Sequence, residues 1–249
     1  MERVGCYTTA RVTGGRIERL ERHAGRLRRD ALRLGLPAPE RRAIEDVARA
    51  AAATELGRGD GIVRIEWSVA QQLSASTRSL GIDPGVWRAI TATTLHPGPE
   101  SRAGAKALGV PAWDAARAEQ ANAGVDEALL FDAAGRLVEG SRSNLVVVTA
   151  EGFRLTPARG LGPVEGLGLE CIREVSGGIL ESLAIDRRDL SRARELIAVN
   201  VVRGAVAIVE LDGRAIGDGR PGPLARTLRA RVATGRPGPP RDADPGAPA

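Results

Sequence analysis

Regular alternation of apolar and polar residues characterises residues 61–69, which read GIVRIEWSV. Successive side chains of a β-strand point to opposite faces, so Val63, Ile65 and Trp67 share one face and the polar residues share the other. The pattern predicts a strand with one buried and one polar face. Other apolar runs, bounded by glycine, proline or polar residues, predict strands at residues 4–12, 86–95, 127–132, 143–149, 153–157, 194–200 and 204–211.

A second pattern, with apolar residues at spacings of three and four, follows a turn at Gly14 and Gly15. It predicts one amphipathic helix that ends before Gly35 and Pro37, because these residues favour helix termination. The mixture of helices and strands along the chain predicts the α/β (α+β) fold class. The apolar stripe of this first helix consists of Ile17, Leu20, Ala24, Leu27, Ala31 and Leu34. Further helices are predicted at residues 39–56, at residues 112–123, after a glycine-rich loop that begins at residue 160, and from Pro221.

The division into domains is predicted from a segment rich in proline, glycine and polar residues at 96–105. We interpret this segment as a linker between an N-terminal α/β domain at residues 1–95 and a C-terminal domain at residues 106–234. Residues 235–249 combine proline, glycine and charge with little apolar surface to bury, so we predict a disordered tail there.

The charge composition bears on the class of partner. The chain of 249 residues has 36 Lys and Arg residues against 31 Asp and Glu residues, which gives a net charge of +5. A basic balance is typical of nucleic-acid-binding proteins when it is concentrated in one patch. Here acidic residues are interleaved with the arginines, and no basic run contains interleaved aromatic residues. We therefore predict no nucleic-acid partner.

Membrane, metal and disulfide chemistry are not indicated by the sequence. No window approaches the roughly 18 consecutive apolar residues of a membrane span, and no apolar signal-peptide core follows Met1. The two cysteines and two histidines are isolated from one another in the sequence, so we predict neither a disulfide framework nor a metal site. These residues are Cys6, Cys171, His23 and His96. We expect a cytoplasmic protein with reduced thiols.

An ordered series of motifs runs from Lys106 to Asn144. Lys106 is the only lysine of the chain, a helix pattern follows it, and residues 124–144 read GVDEALLFDAAGRLVEGSRSN. This order resembles the fold-type IV pyridoxal-phosphate enzymes, also called the class IV aminotransferase family. That family includes branched-chain and D-amino-acid aminotransferases and 4-amino-4-deoxychorismate lyase. The resemblance covers roughly the stretch from Val4 to Arg229, and it includes an H-x-x-R-L motif formed by His23, Arg26 and Leu27.

The resemblance implies a two-domain fold of the D-amino-acid aminotransferase type, a homodimer, a small-molecule amino substrate, and pyridoxal 5'-phosphate bound in the cleft between the domains. It makes Lys106 the residue that forms a Schiff base with the cofactor and carries the proton removed from the substrate. It makes Glu139 the carboxylate that keeps the pyridine nitrogen protonated. It also implies that Arg64, on the polar face of its strand, contacts the phosphate, for which a planar guanidinium is well suited.

The phosphate is expected at a helix N-terminus, because unpaired amides and the helix dipole favour an anion there. The family motif G-[IV]-[TS]-R is matched by GLGL at residues 166–169, so Leu167 and Gly168 offer backbone amides without a hydroxyl. Val201 stands where the family has a second hydroxyl. We expect each missing hydroxyl to weaken phosphate binding by about 1 kcal/mol, so that Arg64 contributes more of the binding.

The substrate side of the site is predicted from two residues. Tyr7 lies in the hairpin segment GCYTTAR, where the family has G-x-F-E-T-x-R. Arg142 either holds a substrate carboxylate or is a solvated loop arginine. The chain begins almost at this hairpin, so either the first sheet is shorter than the family's by one strand or the start codon is misassigned.

The reaction is predicted from the similarity to one branch of the family. The segment NVVRGAV and the short spacing between Lys106 and Glu139 are similar to those of aminodeoxychorismate lyases. Such a lyase, which releases pyruvate and 4-aminobenzoate for folate-precursor synthesis, is the leading hypothesis from the sequence. A transaminase of branched-chain or D-amino acids is the alternative. A non-catalytic dimeric relative with weak cofactor binding is a third hypothesis.

Overall fold

The structure is a computed structural model that describes residues 4–69, 72–100, 104–176 and 178–234. Its strands form two sheets, and helices cover them. The first sheet and its helices comprise β1 (Gly5–Thr13), β2 (Arg16–Ile17), α1 (Leu20–Arg33), α2 (Arg41–Glu55), β3 (Gly61–Ser68) and β4 (Gln72–Ser79). The rest comprises β5 (Val86–Thr91), α3 (Pro111–Asn122), β6 (Glu127–Phe131), β7 (Leu137–Gly140), β8 (Asn144–Val148), β9 (Arg154–Pro157), a 3-10 turn (Arg159–Leu161), α4 (Leu167–Ser176), β10 (Leu180–Ser182), α5 (Arg187–Ser191), β11 (Glu195–Asn200), β12 (Gly204–Leu211), β13 (Arg214–Ala215) and α6 (Pro223–Thr234).

The smaller sheet is antiparallel and has the strand order β2-β1-β3-β4. The alternation in β3 determines its two faces. Val63 and Ile65 are buried in a core cluster with residues of α1 and α2. On the opposite face the strand register places Thr9, Arg64 and Ser76 side by side across three strands. One face of this sheet is therefore apolar and covered by helices, and the other is polar.

The larger sheet has the strand order β10-β9-β8-β11-β12-β5-β6-β7, and β13 also pairs with β12. Strand β5 runs parallel to both of its neighbours, whereas β11 is antiparallel to both β8 and β12. Strands β8 and β11 are buried almost throughout, which explains their nearly continuous apolar sequences NLVVV and ELIAVN. Residues of α4 and α6 pack in one core cluster with these strands. The mixed α/β architecture with two sheets confirms the predicted fold class.

The change from one sheet to the other occurs earlier in the chain than predicted. The predicted boundary at residue 95 places β5 in the N-terminal domain, but this strand pairs with β12 and β6 of the larger sheet. Residues 96–105, predicted as a linker, begin in contact with that sheet. His96 is 5% exposed, and its amide donates to the Phe131 carbonyl at 2.8 Å. The assignment of β5 to the larger sheet depends on hydrogen bonds between segments that are distant in the sequence, and local composition cannot predict such bonds.

Two further elements differ from the periodicity-based prediction. Strand β4 has no predicted counterpart because QLSASTRS has only two apolar residues, Leu73 and Ala75, which are too few for a clear pattern. It forms through its backbone, which pairs with β3 from Gln72 to Ser79. Ile17, predicted as the first residue of the helix stripe, lies in β2, and α1 begins at Leu20. The predicted tail at 235–249 lies outside the described residues, and within the described ranges no helix has the length and apolar character of a membrane span.

His23, the histidine of the H-x-x-R-L motif, lies on α1 and is fully buried. Its Nδ1 is 2.6 Å from the hydroxyl of Thr8. Burial and, next, the nearby charge of Arg26 lower the pKa of His23 from 6.5 to about 3. The unfolded chain takes up a proton near the ordinary histidine pKa, whereas the folded chain resists it. The stabilisation from neutral His23 is therefore complete above pH 6.5 and is lost as the pH falls towards 3.

We expect His23→Gln, which cannot take up a proton, to lose less stability in acid than the wild type. Between neutral pH and pH near 3, the wild type should lose on the order of 4 kcal/mol more of its free energy of unfolding than the variant. Urea unfolding of both proteins over this range measures it. His96→Gln is the matched control, because the same substitution is made at the other histidine. Parallel stability profiles for wild type and His23→Gln would contradict the assignment.

Candidate active site

A cavity of about 700 Å³ lies between the polar face of the smaller sheet and the larger sheet. Its walls include residues of β1, β3, β7 and α4, of the β11–β12 turn, and of the segment between β5 and α3. The fold therefore brings together residues that are distant in the sequence. All eight residues predicted as site residues line this cavity: Tyr7, Arg64, Lys106, Glu139, Arg142, Leu167, Gly168 and Val201.

Lys106 is held by backbone contacts between its segment and β1. Its carbonyl accepts a hydrogen bond from the Tyr7 amide at 2.9 Å, and the Leu108 amide donates to Gly5 O at 2.8 Å. The Lys106 amide donates to Oδ2 of Asp30 on α1 at 3.0 Å. The residue is half-buried, and its Nζ lies 5.0 Å from the centroid of the Tyr7 ring. The chain thus presents this amine to the cavity from an anchored backbone.

Glu139 lies on β7 and is 3% exposed. Its Oε1 accepts from Nε1 of Trp113 at 3.1 Å, and its Oε2 accepts from the Val164 amide at 2.9 Å. Nε2 of His96 lies 3.3 Å from the same Oε1. A buried carboxylate with N–H partners on both oxygens has a fixed orientation, and it keeps lone-pair capacity for one more donor. This arrangement fits a carboxylate that faces a protonated ring nitrogen.

Tyr7 and Arg64 stack on the polar face of the smaller sheet. The guanidinium carbon of Arg64 lies 3.6 Å from the centroid of the Tyr7 ring, and its Nε pairs with Glu66. Burial by itself raises the pKa of Tyr7, but the charges of Lys106 and Arg64 outweigh this effect, so the pKa lies below its usual value. Arg64 therefore already has two partners, Tyr7 and Glu66. Its contact with a phosphate stays a prediction.

Arg26 is a cavity residue to which the sequence analysis gives no role, although the H-x-x-R-L motif contains it. The side chain is almost fully buried, and its Nε donates to Oδ2 of Asp30 at 3.1 Å. Its Nη2 is also buried and has no hydrogen-bond partner among the described residues. An unsatisfied buried donor costs about 1–3 kcal/mol, and more when it is charged. The atom therefore fits an anionic ligand. The H-x-x-R-L motif is the sequence feature from which a role of Arg26 could have been predicted.

The N-terminus of α4 approaches the β11–β12 turn at the cavity. The Glu170 amide makes the first helical hydrogen bond, at 3.1 Å, so the amides of Leu167 and Gly168 have no acceptor within the helix. A Cβ on Gly168 would lie 2.6 Å from the carbonyl carbon of Asn200, so only glycine permits this close approach. Helix amides together with Nη2 of Arg26 are suited to a phosphate. These residues fit the phosphate-bearing cofactor that the resemblance implies.

The β11–β12 turn keeps its shape without a hydroxyl at Val201. Oδ1 of Asn200 accepts from the amides of Val202 at 3.1 Å and Arg203 at 2.8 Å. These bonds fix the backbone that carries Val201 into the cavity wall. The turn and the helix N-terminus therefore offer backbone groups to a ligand, whereas Arg26 supplies the buried charge.

Arg142 lies on the loop between β7 and β8, is exposed, and lines the cavity. Its Nη2 donates to the amide oxygen of Gln120. Its two neighbours anchor the loop, since the hydroxyls of Ser141 and Ser143 each donate to buried Glu127 at 2.6 Å. Burial raises the pKa of Glu127. The loop is fixed from within the fold while the guanidinium stays at the cavity rim, and both interpretations of Arg142 stay open.

Known proteins with similar sequences point to aminotransferases. Residues 5–211 match the family model described as amino-transferase class IV. A curated relative, the probable branched-chain-amino-acid aminotransferase of Aquifex aeolicus, is 29% identical over 118 residues. That match covers 46% of this chain and 38% of the relative, so the chain spans about two fifths of the relative's length. The two proteins are therefore compared over part of their lengths only.

Solved structures show the same fold over nearly the whole chain. A fold IV-transaminase, CpuTA1, from Curtobacterium pusillum is 25% identical, with a TM-score of 0.75 over 92% of this chain and 85% of that chain. The branched-chain aminotransferase from Thermoproteus uzoniensis with norvaline is 24% identical, with a TM-score of 0.80 over 92% and 84%. An aminotransferase from Brucella abortus bound to the cofactor PLP is 21% identical, with a TM-score of 0.77 over 93% and 88%.

The site geometry and the similarities agree. The family model spans the segment from β1 to β12, and therefore both sheets and most of the cavity wall. The cavity contains a lysine, a buried carboxylate and a group of donors suited to an anion, namely Arg26 and the N-terminal amides of α4, which we call the phosphate cradle. These are the groups that the cofactor of this family requires. The chain belongs to the class IV aminotransferases, the fold-type IV family of pyridoxal-phosphate-dependent enzymes.

Proposed function

We propose that this protein is an aminotransferase that transfers the amino group of a small amino acid to a 2-oxo acid. The observation that carries the proposal is the convergence of Lys106, Glu139 and the phosphate cradle around one cavity. The similar proteins named above, which are described as aminotransferases or transaminases, support this reaction. None of the proteins named above is described as a lyase, so the leading hypothesis from the sequence has less support than its alternative.

The chain's own residues would hold the cofactor at both ends. Nη2 of Arg26 and the amides of Leu167 and Gly168 would bind the phosphate, and Glu139 would accept the N–H of the ring. When bound, pyridoxal phosphate supplies an aldehyde that captures amines and a ring that accepts the electron pair released at the substrate's α-carbon. Nζ of Lys106 is the group that would take this α-proton and return it.

Substrate binding would use the positively charged side of the cavity. The guanidinium groups of Arg64 and Arg142 line it, and either could donate hydrogen bonds to the α-carboxylate of an amino acid. The Tyr7 ring is close to both cations, with its centroid 3.6 Å from the guanidinium carbon of Arg64 and 5.0 Å from Nζ of Lys106. These contacts place the substrate's α-carbon next to the lysine in our proposal, and they leave the choice of side chain open.

An amino-acid panel tests the reaction. Purified protein loaded with pyridoxal phosphate is mixed with L- and D-amino acids in the absence of an acceptor. An aminotransferase releases one 2-oxo acid per site while the visible absorption of the cofactor decreases, and addition of a second 2-oxo acid restores it. Release of pyruvate and 4-aminobenzoate from aminodeoxychorismate would instead support the lyase. No response to any substrate would support a non-catalytic relative.

Arg26 should contribute specifically to phosphate binding. We expect Arg26→Gln to raise the dissociation constant for pyridoxal phosphate by about 10–100-fold, because a hydrogen bond to a charged group contributes about 1.5–3 kcal/mol. Binding of pyridoxal, which lacks the phosphate, should change little. Arg64→Gln is the matched comparison. If it alone shows the phosphate-dependent loss, the sequence-based assignment of Arg64 is correct and the role of Arg26 is refuted.

The family resemblance also implies an assembly and a location. We propose that the chain forms a homodimer in the cytoplasm and that its two sheets belong to two domains with the cofactor between them. The polar face of the smaller sheet supports a binding cleft, because it is directed at the cavity while the apolar face packs on α1 and α2. Sedimentation of the purified protein measures the assembly, and a monomer at all concentrations would refute it.

A further inference from the structure

The carboxylate of Glu139 has one oxygen whose hydrogen bonds come entirely from side chains of other elements. Nε1 of Trp113 donates to Oε1 at 3.1 Å, and an indole N–H can only donate. Trp113 lies in the first turn of α3, is 8% exposed, and lines the cavity beside Glu139. The helix that follows Lys106 in the sequence therefore supplies a hydrogen-bond donor to Glu139.

The second partner of Oε1 is His96, whose tautomer follows from its hydrogen bonds. The Gly98 amide donates to Nδ1 at 3.1 Å, so Nδ1 is the acceptor nitrogen of a neutral ring. The proton is then on Nε2, which lies 3.3 Å from Oε1 of Glu139 and donates to it. His96 is 5% exposed. This histidine thus contacts the carboxylate with a fixed N–H group.

The two oxygens of Glu139 therefore differ. Oε1 accepts two side-chain donors and has used its lone-pair capacity, whereas Oε2 accepts, among the residues that the structure describes, only the Val164 amide, at 2.9 Å. Both Glu139 and Val164 line the cavity, and His96 does not. The remaining acceptor capacity lies on Oε2, next to a cavity-wall residue. His96 and Trp113 therefore orient the carboxylate through Oε1, and Oε2 can accept one more hydrogen bond.

We propose that His96 and Trp113 are positioning residues of the reaction: they hold Oε1 of Glu139 so that Oε2 accepts the ring N–H of the cofactor. This inference rests on the proposed function, in which Glu139 is the partner of the ring nitrogen. Loss of either donor lets the carboxylate rotate away from that nitrogen. The effect acts on turnover and cofactor affinity through Glu139 and leaves the Michaelis constant of the amino acid unchanged.

Matched variants separate the N–H groups from the side-chain volumes. Trp113→Phe keeps an aromatic ring but loses the indole N–H donor. His96→Leu removes the imidazole N–H donor, whereas His96→Gln replaces it with an amide N–H donor. We expect Trp113→Phe and His96→Leu each to lower turnover and cofactor affinity by about 10-fold, the scale found when a group that orients a ligand is removed. His96→Gln should restore most of the loss.

A double-mutant cycle with Glu139→Gln tests whether the effect acts through the carboxylate. In that background His96→Leu and Trp113→Phe should add little to the dissociation constant for pyridoxal phosphate. Equal losses in both backgrounds, or no rescue by His96→Gln, would show a purely structural role and overturn the proposal. Thermal unfolding of each variant confirms that the compared proteins are folded.

Imidazole NMR gives a readout that needs neither cofactor nor activity. The chain has two histidines, so the nitrogen signals of isotope-labelled histidine are assigned with His96→Gln alone. We expect His96 to carry its proton on Nε2 and its signal to shift in Glu139→Gln. A proton on Nδ1 would overturn the proposal. Wild-type protein that is inactive with every amino acid would refute the proposed function instead, while the NMR result and the binding cycle still decide the role of His96.

Discussion

Lys106→Ala should lower the rate of amino transfer by at least about 1,000-fold, because one amine supplies both covalent capture of the cofactor and proton transfer at the α-carbon. The same substitution should abolish covalent attachment of the cofactor. Borohydride reduction of the loaded protein, followed by peptide mass spectrometry, locates that attachment. Lys106 is the only lysine, so a reduced adduct on its peptide identifies the residue without ambiguity.

The unique tyrosine gives a control that does not depend on activity. The chain has one tyrosine, Tyr7, and the charge of Lys106 is among the causes that lower its pKa. We therefore expect the ultraviolet titration of Tyr7 to move to higher pH in Lys106→Ala, because a positive charge that stabilises the phenolate is removed. Lys106→Arg should keep the low titration and still lack turnover. An adduct found on another residue would refute the assignment of Lys106.

Glu139→Gln should lower turnover by on the order of 100-fold or more while the protein keeps most of its stability, because an amide cannot hold the proton of the ring nitrogen electrostatically. The amide oxygen can still accept from Trp113 and His96, so only the Val164 amide loses its acceptor. Steady-state kinetics with the best amino acid, and urea unfolding at the same pH, measure the two effects. Turnover within a few-fold of wild type would contradict the role of Glu139.

Glu139→Ala should be different, because it removes every acceptor at once. The Nε1 of Trp113, the Nε2 of His96 and the Val164 amide all lose their partner in a buried site. Each unsatisfied donor costs about 1–3 kcal/mol, less where water enters the space. We expect a stability loss of roughly 2–5 kcal/mol together with the loss of turnover. The contrast between the Gln and Ala variants separates the chemical role of the carboxylate from its structural role.

The phosphate cradle differs from the expectation drawn from the motifs. The missing hydroxyls at residues 166–169 and at Val201 predict weak phosphate binding with compensation from Arg64. In the structure Arg64 already stacks on Tyr7 and pairs with Glu66, whereas a buried nitrogen of Arg26 has no partner in the described part of the chain. Compensation by Arg26 is therefore the better-supported interpretation. Side-chain partners, which decide between the two arginines, are set by packing and not by spacing.

The chemistry of the site was the most predictable part. Eight residues named from an ordered motif series line one cavity, because each motif keeps its residues at a fixed position relative to its own strand, turn or helix. The roles assigned to them are tested only by the experiments above. Residues outside the best-matched motifs were missed. Trp113 lies in a helix pattern and His96 in a segment predicted as a linker, and nothing local relates either to Glu139.

By itself, the sequence determined the strands and helices with strong apolar periodicity, the chemical types that meet in the site, and the family. Periodicity suffices for these because burial of one face is a local property of a strand or helix. Only the tertiary structure decided that β5 joins the larger sheet, that polar β4 forms at all, and that Arg26, Trp113 and His96 converge on the cavity and its carboxylate. These features depend on hydrogen-bond register and packing between residues far apart in the chain, and local patterns of polarity carry no information about either.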